Sequence, residues 1–295
     1  MERRTFIKAS SLTLAGVGSM QLPGPSHRRE NPMGCTLALN AYSFNAPLLQ
    51  GEMTLEELFR FARTTGFTAV DLTAYYIPGY PEVPEESILF GIKRKAFRTG
   101  LAISGTGVRN DFTVAEPEAL REQINLVKQW IVAAARLGAP HVRVFAGRGS
   151  GSGEPREVVK ERIVRSMQEC ADFAAGTGVM VAFQNHNDFI QSTGEILEIL
   201  HAVDSEWFGL MLDTGSVEGP DPYQGIERLI PHAITWQVKE QVQSGNGNVP
   251  TDFKKLMALV HQYGYQGYFP LETLGEGDPY EKVNILYQRV AGINA

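Results

Sequence analysis

The sequence predicts a single parallel (β/α)8 barrel, and three observations lead to that prediction. Short apolar segments alternate with helical segments eight times between residues 36 and 290. The apolar segments are continuous runs, as expected for strands that are buried on both faces. Polar side chains follow these runs at their carboxyl ends, where the active sites of such barrels lie. An open doubly wound sheet is the alternative, but the turn after the first strand, NAYSFNAPLL, lacks the glycines of a phosphate-binding turn.

Each predicted strand is a short run of apolar residues that contains no helical period. In chain order the predicted strands cover residues 36–40, 69–72, 101–105, 141–145, 179–183, 208–212, 234–238 and 268–271. The predicted helices lie between them and recur with apolar residues every three or four positions. They begin after Thr54 and then cover residues 87–99, 117–137, 155–175, 193–202, 221–229, 251–263 and 279–290. Thr54 and Glu57 form a capping box, and Gly138 closes the long fourth helix.

The first 33 residues read as a targeting segment ahead of a barrel that covers residues 34–295. Arg3 and Arg4 precede a short, weakly apolar run, and Pro23 and Pro25 then exclude a continuing helix. This layout is typical of a twin-arginine signal, which predicts export to the periplasm or another extracytoplasmic location. The apolar run is too short to span a bilayer, so we expect no membrane span in the mature protein. The formal net charge of -6 argues against a nucleic-acid partner.

Four polar residues close four successive predicted strands: Gln184, Asp213, Gln237 and Glu272, at intervals of 29, 24 and 35 residues. Each interval leaves room for a loop, a helix and the next strand, so the four side chains are expected to meet at one barrel mouth. Four oxygen-bearing side chains there predict a divalent cation. Oxygen donors favour Mn²⁺ or Mg²⁺, with Ca²⁺ or Zn²⁺ as alternatives.

Other residues at or near the strand ends are candidates for substrate contact and proton transfer. His186 is a candidate ligand, proton shuttle or hydrogen-bonded core residue, and Lys239 could hold an oxyanion or pair with Glu240 or Asp213. Arg143 is a candidate for substrate binding or for a structural ion pair with a carboxylate. The remaining candidates for substrate binding are Asn40, Arg109 and the aromatic Trp236.

The strand-end motifs VAFQNH, GLMLDTGS, TWQVKE and GYFPLET resemble those of the sugar phosphate isomerase/epimerase superfamily, whose xylose-isomerase-like barrel is shared with endonuclease IV. The resemblance covers residues 35–292 and implies that Asp213 and Glu272 are metal ligands. It also implies that Glu272 is an acid–base catalyst. The chain departs from the family pattern at two positions, because Gln184 stands where Glu is usual and Gln237 where His is usual.

These departures favour a reaction with one base. Gln184 cannot accept a proton, so only Glu272 remains of the carboxylate pair that epimerases of the family use. The resemblance and the export signal together predict an isomerase- or epimerase-like enzyme for a non-phosphorylated sugar, working through an enediolate-type intermediate. A 3-keto-glycoside lyase and a non-catalytic sugar-binding barrel are the alternatives, and homo-oligomerisation stays open. A DNA repair enzyme is disfavoured, because most of the six histidines lie away from the strand ends.

Overall fold

The computed structural model describes residues 34–149, 153–245 and 247–294. The predicted twin-arginine signal in residues 1–33 lies outside this part of the chain. Eight parallel strands close into a barrel in which each strand pairs with its neighbours in chain order, and the last strand pairs with the first. The predicted (β/α)8 barrel is therefore confirmed. Within the described residues, no helix is long and apolar enough to cross a membrane.

The barrel strands, and all helices except the first, fall within a few residues of the predicted bounds. The barrel strands are Thr36–Asn40 (β1), Ala69–Asp71 (β2), Ala102–Gly107 (β3), His141–Val144 (β4), Met180–Gln184 (β5), Phe208–Asp213 (β6), Ala233–Lys239 (β7) and Tyr268–Glu272 (β10). The helices are Asn45–Gln50 (α1), Leu55–Thr65 (α2), Glu86–Thr99 (α3), Pro117–Leu137 (α4), Arg156–Ala175 (α5), Thr193–Ala202 (α6), Pro222–Leu229 (α7), Phe253–Gln262 (α8) and Pro279–Ala291 (α9).

Local signals explain why the helices begin and end at these residues. Thr54 accepts a hydrogen bond from the Glu57 amide while the Glu57 side chain accepts from Thr54, so the predicted capping box is present at the start of α2. Pro117 occupies the first turn of α4, and Gly138 ends that helix with a positive φ of 79°. The apolar faces of the helices pack on the outside of the barrel, where Trp130 and Phe67 are fully buried.

Two elements were not predicted from the sequence, the short helix α1 and a hairpin after β7. Gln241–Ser244 (β8) and Gly247–Pro250 (β9) form an antiparallel hairpin between β7 and α8. The hairpin leaves the barrel directly after Lys239. It therefore lies at the carboxyl end of the strands, beside the predicted site.

Strand register decides which polar residues stand side by side at that end. Lys239 on β7 is the register partner of Glu272 on β10. Gln237 on β7 is the register partner of Asp213 on β6. The acids and the lysine that the sequence separates by more than twenty positions are therefore adjacent in the barrel wall.

Candidate active site

The carboxyl ends of the strands surround a cavity of about 640 Å³. Its lining includes most of the residues predicted for the site: Asn40, Arg109, Arg143, Gln184, His186, Gln237, Lys239 and Glu272. A second cavity of about 590 Å³ adjoins it, and Asp213 lies in the wall of that one. Four residues line both cavities and mark where the two spaces meet: His186, Lys239, Glu272 and Leu274.

Trp236 does not line either cavity, and its predicted role in substrate binding is not supported. The side chain is completely buried and packs against Phe269 and Tyr265, with ring centroids 5.2 and 5.7 Å away. Successive side chains of a strand point to opposite faces, so the pleat that turns Gln237 towards the cavity turns Trp236 towards the helices. Trp236 is part of the layer between the barrel and the helices.

Asp213 is held in place by hydrogen bonds to its backbone and to its side chain. The Asn185 side chain accepts from the Asp213 amide and donates to its carbonyl, both at 2.9 Å. The Asp213 carboxylate accepts from the Gly215 amide at 3.0 Å and from the side-chain amide of Gln184 at 2.7 Å. Both carboxylate oxygens of this 1 % exposed residue are therefore occupied by donors.

Lys239 occupies the space between the two acids. Its ammonium group donates to Oε1 of Glu272 and lies 3.6 Å from Oδ2 of Asp213. The backbone of Lys239 is fixed on both sides, because its amide donates to Thr214 Oγ1 at 3.0 Å and its carbonyl accepts from Thr251 Oγ1 at 2.8 Å. Glu272 is also buried, and its second oxygen, Oε2, has no hydrogen-bond partner within the described chain.

Burial and charge act in opposite directions on this group. Burial is the strongest influence on Glu272 and raises its pKa; Asp213 acts in the same direction, while Lys239 opposes both. For Lys239, burial alone would lower the pKa, but the two carboxylates outweigh it and leave the pKa above its ordinary value. The two carboxylates therefore favour the charged form of Lys239 in the wall of the cavity.

The predicted divalent cation does not fit this arrangement of residues. Asp213 and Glu272 already share the Lys239 ammonium, and a second cation between them would face its charge at short range. The other two predicted ligands, Gln184 and Gln237, are neutral amides and add no negative charge. Among the described residues, no group of three or more His, Cys, Asp or Glu side chains is arranged to hold a metal ion.

Two arginines line the opposite part of the cavity. Arg143 is only 7 % exposed; its guanidinium lies 4.0 Å from the centre of the Phe145 ring and donates to the Tyr75 hydroxyl at 3.0 Å and to the Val108 carbonyl. No carboxylate of the described chain forms an ion pair with it, so the alternative of a structural ion pair is wrong. Arg109 is exposed and stacks on Tyr75 at 4.7 Å.

His186 and Asn40 lie at the mouth of the barrel, and each makes a specific contact there. The His186 ring packs on Phe145 with centroids 4.6 Å apart. Burial lowers the pKa of His186. The negative charge of Asp213 acts in the opposite direction, while the positive charges of Arg143 and Lys239 lower this pKa further. The Asn40 side chain accepts from the Tyr42 amide at 2.9 Å and so shapes the turn after β1.

The sequence interpretation missed Asp71 as a site residue. Asp71 ends β2, is buried and lines the larger cavity. Its Oδ2 atom lies 3.7 Å from Nε2 of the buried His141 and has no hydrogen-bond partner in the described structure. The signal was available, because Asp71 follows the apolar pair Ala69 and Val70 just as Asp213 follows its own apolar strand.

Comparison with known proteins places the chain in a family. A model of the xylose isomerase-like TIM barrel family matches residues 59–288. The chain belongs to that family. It is also similar to the rhizopine catabolism protein MocC of Rhizobium meliloti, with 25 % identity over 93 % of this chain and 92 % of that protein.

Two solved structures share the fold at low sequence identity. One is a 3-keto-D-glucoside 4-epimerase, YcjR, from E. coli, with a TM-score of 0.72, 16 % identity and coverage of 88 % of this chain and 99 % of that one. The other is an L-ribulose 3-epimerase, with a TM-score of 0.71, 17 % identity and coverage of 88 % and 94 %. At these identities the similarity shows the barrel fold alone.

Proposed function

We propose that this chain is an exported isomerase- or epimerase-like enzyme that acts on a non-phosphorylated sugar or sugar derivative through an enediolate-type intermediate. The observation that carries this proposal is the buried Glu272 carboxylate, hydrogen-bonded to the Lys239 ammonium in the wall of a cavity of about 640 Å³. A cavity of that size is typical of small-molecule sites. Sugar epimerases with the same fold support the choice of substrate class.

Glu272 is the residue best suited to take a proton from carbon. In its carboxylate form it would accept the proton from the carbon next to the substrate carbonyl, and the C–H electron pair would form a C=C bond. The former carbonyl oxygen then carries negative charge, which the Lys239 ammonium stabilises by a hydrogen bond. Return of the proton from Glu272 to the adjacent carbon, with transfer of a hydroxyl proton between the two oxygens, gives the isomer.

Hydrogen exchange tests this proposal whatever the product of the reaction is. Ketoses and 3-keto-glucosides are incubated with the protein in D₂O, and deuterium at the carbon next to the carbonyl is followed by NMR. Replacing the base with an amide should slow exchange by about 10²- to 10⁴-fold in Glu272→Gln. Glu276→Gln, an exposed acid four residues further on, is the matched control and should exchange at the wild-type rate. Sugar binding without any exchange would instead support a non-catalytic barrel.

The paired cavities favour a second candidate, a lyase for 3-keto-glycosides. The two spaces meet at Glu272, Lys239 and His186, so one could hold an oxidised sugar and the other its aglycone. Glu272 would remove the proton beside the ketone, the electron pair would form a C=C bond to the anomeric carbon, and the glycosidic C–O bond would break. His186 lines both cavities and could relay the proton that Glu272 has taken to the departing oxygen. Release of a chromogenic phenol from its 3-keto-glucoside distinguishes this elimination from isomerisation.

A further inference from the structure

We infer that Lys239 is the resident cation of this site, and that the chain binds its substrate and holds its two acids without a divalent metal. The ammonium group of Lys239 lies between the two acids. It bonds to Glu272, lies 3.6 Å from Asp213, and belongs to a side chain that is only 11 % exposed. The inference deepens the proposed function, on which its catalytic part rests.

Both oxygens of Asp213 and one oxygen of Glu272 are already engaged by donors of the chain. Asp213 accepts from the Gly215 amide with one oxygen and from Gln184 with the other. The Gln184 amide group must present its NH₂ to that oxygen, because an ionised carboxylate can only accept hydrogen bonds. Gln184 therefore serves as a neutral donor to Asp213, where a second carboxylate would repel it.

The Lys239 ammonium also neutralises half of the acidic charge of the group. Asp213 and Glu272 supply two negative charges and Lys239 one positive charge, which leaves a single net negative charge in a buried group. A site made for a divalent cation gains from additional anionic or imidazole ligands. Here the residues beside the acids are Gln184 and Gln237, which add none, and the lysine occupies the space.

The chain is shaped to keep the lysine in this position. A Cβ atom on Gly215 would lie 2.7 Å from Cγ of Lys239, so the absence of a side chain at Gly215 lets the lysine stem pass. Thr214 and Thr251 hold the backbone of Lys239 from both sides. The register of β7 and β10 then sets Lys239 directly beside Glu272. These contacts fix the aliphatic stem, the backbone and the ammonium group of the lysine.

The ammonium can do part of what a bound metal would do in an enolisation. It carries three N–H donors, of which one is used by Glu272, and it lines the cavity where the substrate carbonyl would lie. It can therefore donate to the oxygen that becomes negative while Glu272 takes the proton. Lys239 is a catalytic residue in this scheme.

Metal uptake tests the inference independently of turnover. Wild type, Lys239→Ala, Lys239→Met and the exposed control Lys254→Ala are incubated with millimolar Mn²⁺ and desalted, and bound metal is measured by mass spectrometry. We expect no stoichiometric metal in the wild type, in Lys239→Met or in Lys254→Ala. Lys239→Ala leaves two carboxylates facing an open space and should take up Mn²⁺, with an unfolding temperature that rises with Mn²⁺ concentration.

Stoichiometric Mn²⁺ in the wild type, together with a fall in its unfolding temperature on addition of a chelator, would overturn the inference. If Lys239→Ala does not fold, the wild type and Lys239→Met still decide, because Met fills the same space without charge. Absence of sugar exchange with no metal bound would count against the proposed function and leave the inference intact.

Discussion

At the scale of single residues, Arg143 carries the most information about the substrate. A buried guanidinium without a carboxylate partner keeps much of its desolvation cost, and contacts with Tyr75, Val108 and Phe145 offset only part of it. A buried guanidinium of this kind is tolerated when another group supplies the missing hydrogen-bond acceptors. The oxygen-rich or negatively charged part of a substrate in the adjoining cavity would do so.

Substitution of Arg143 should therefore separate binding from stability. In Arg143→Met the KM for the substrate should rise about tenfold or more, as expected for the loss of a charge-assisted hydrogen bond. The free energy of unfolding should change by less than about 1 kcal/mol, because an apolar side chain no longer has to be desolvated as a charge. Steady-state kinetics and urea titration give the two values. Arg143→Lys keeps the charge but loses the planar fork, so its KM should lie in between. A large loss of stability with an unchanged KM would make Arg143 a structural residue.

The roles of Lys239 and Trp236 show where residue-level prediction from the sequence ends. The strand-end rule identified Asp213, Lys239 and Glu272 as polar groups at one mouth, and they lie there. The direction of each side chain follows from the pleat and the register, which the sequence does not state. A shift of one residue in the β7 alignment would have exchanged the positions of Trp236 and Gln237.

At the scale of elements, helix bounds were easier to predict than the loops that shape the site. Pro117 and Gly138 mark both ends of α4, and the predicted and observed bounds agree there. The β8–β9 hairpin gave no comparable signal. Its strands are four residues each and mostly polar or exposed, and Val242 is its one fully buried side chain in the described residues. Short polar strands lack the alternation that predicts a hairpin.

The short turn after β6, Thr214–Ser216, yields a prediction about packing. Gly215→Ala would drive its new methyl group into the stem of Lys239, because the atom that it meets is Cγ rather than the mobile end of the side chain. We expect a loss of about 1–3 kcal/mol in unfolding free energy and a matching loss of activity, since the lysine must move. Gly91→Ala is the control: it lies within α3 with no atom near its Cβ position, and should stabilise by about 0.5–1 kcal/mol. Urea titration of both variants gives the two values, and equal stability would contradict this packing.

At the scale of the whole molecule, the closed barrel explains why distant residues could be grouped correctly. Parallel strands in chain order bring every carboxyl end to one face, so intervals of 29, 24 and 35 residues become neighbouring positions. What this topology could not predict is the identity of the cation. A metal and a lysine satisfy the same pair of carboxylates, and only the side-chain positions distinguish them.

The twin-arginine signal predicted in residues 1–33 would decide where the whole protein works. The twin-arginine route carries folded proteins, and a site whose cation is part of the chain would be complete on folding, with no metal to acquire first. We expect replacement of Arg3 and Arg4 by Lys to leave the protein in the cytoplasm, measured by cell fractionation and immunoblotting in a host with this route. Arg28 and Arg29 form a matched control pair beyond the apolar run, and their replacement by Lys should not affect export. Normal export after loss of Arg3 and Arg4 would contradict the signal, and with it the argument for a non-phosphorylated sugar.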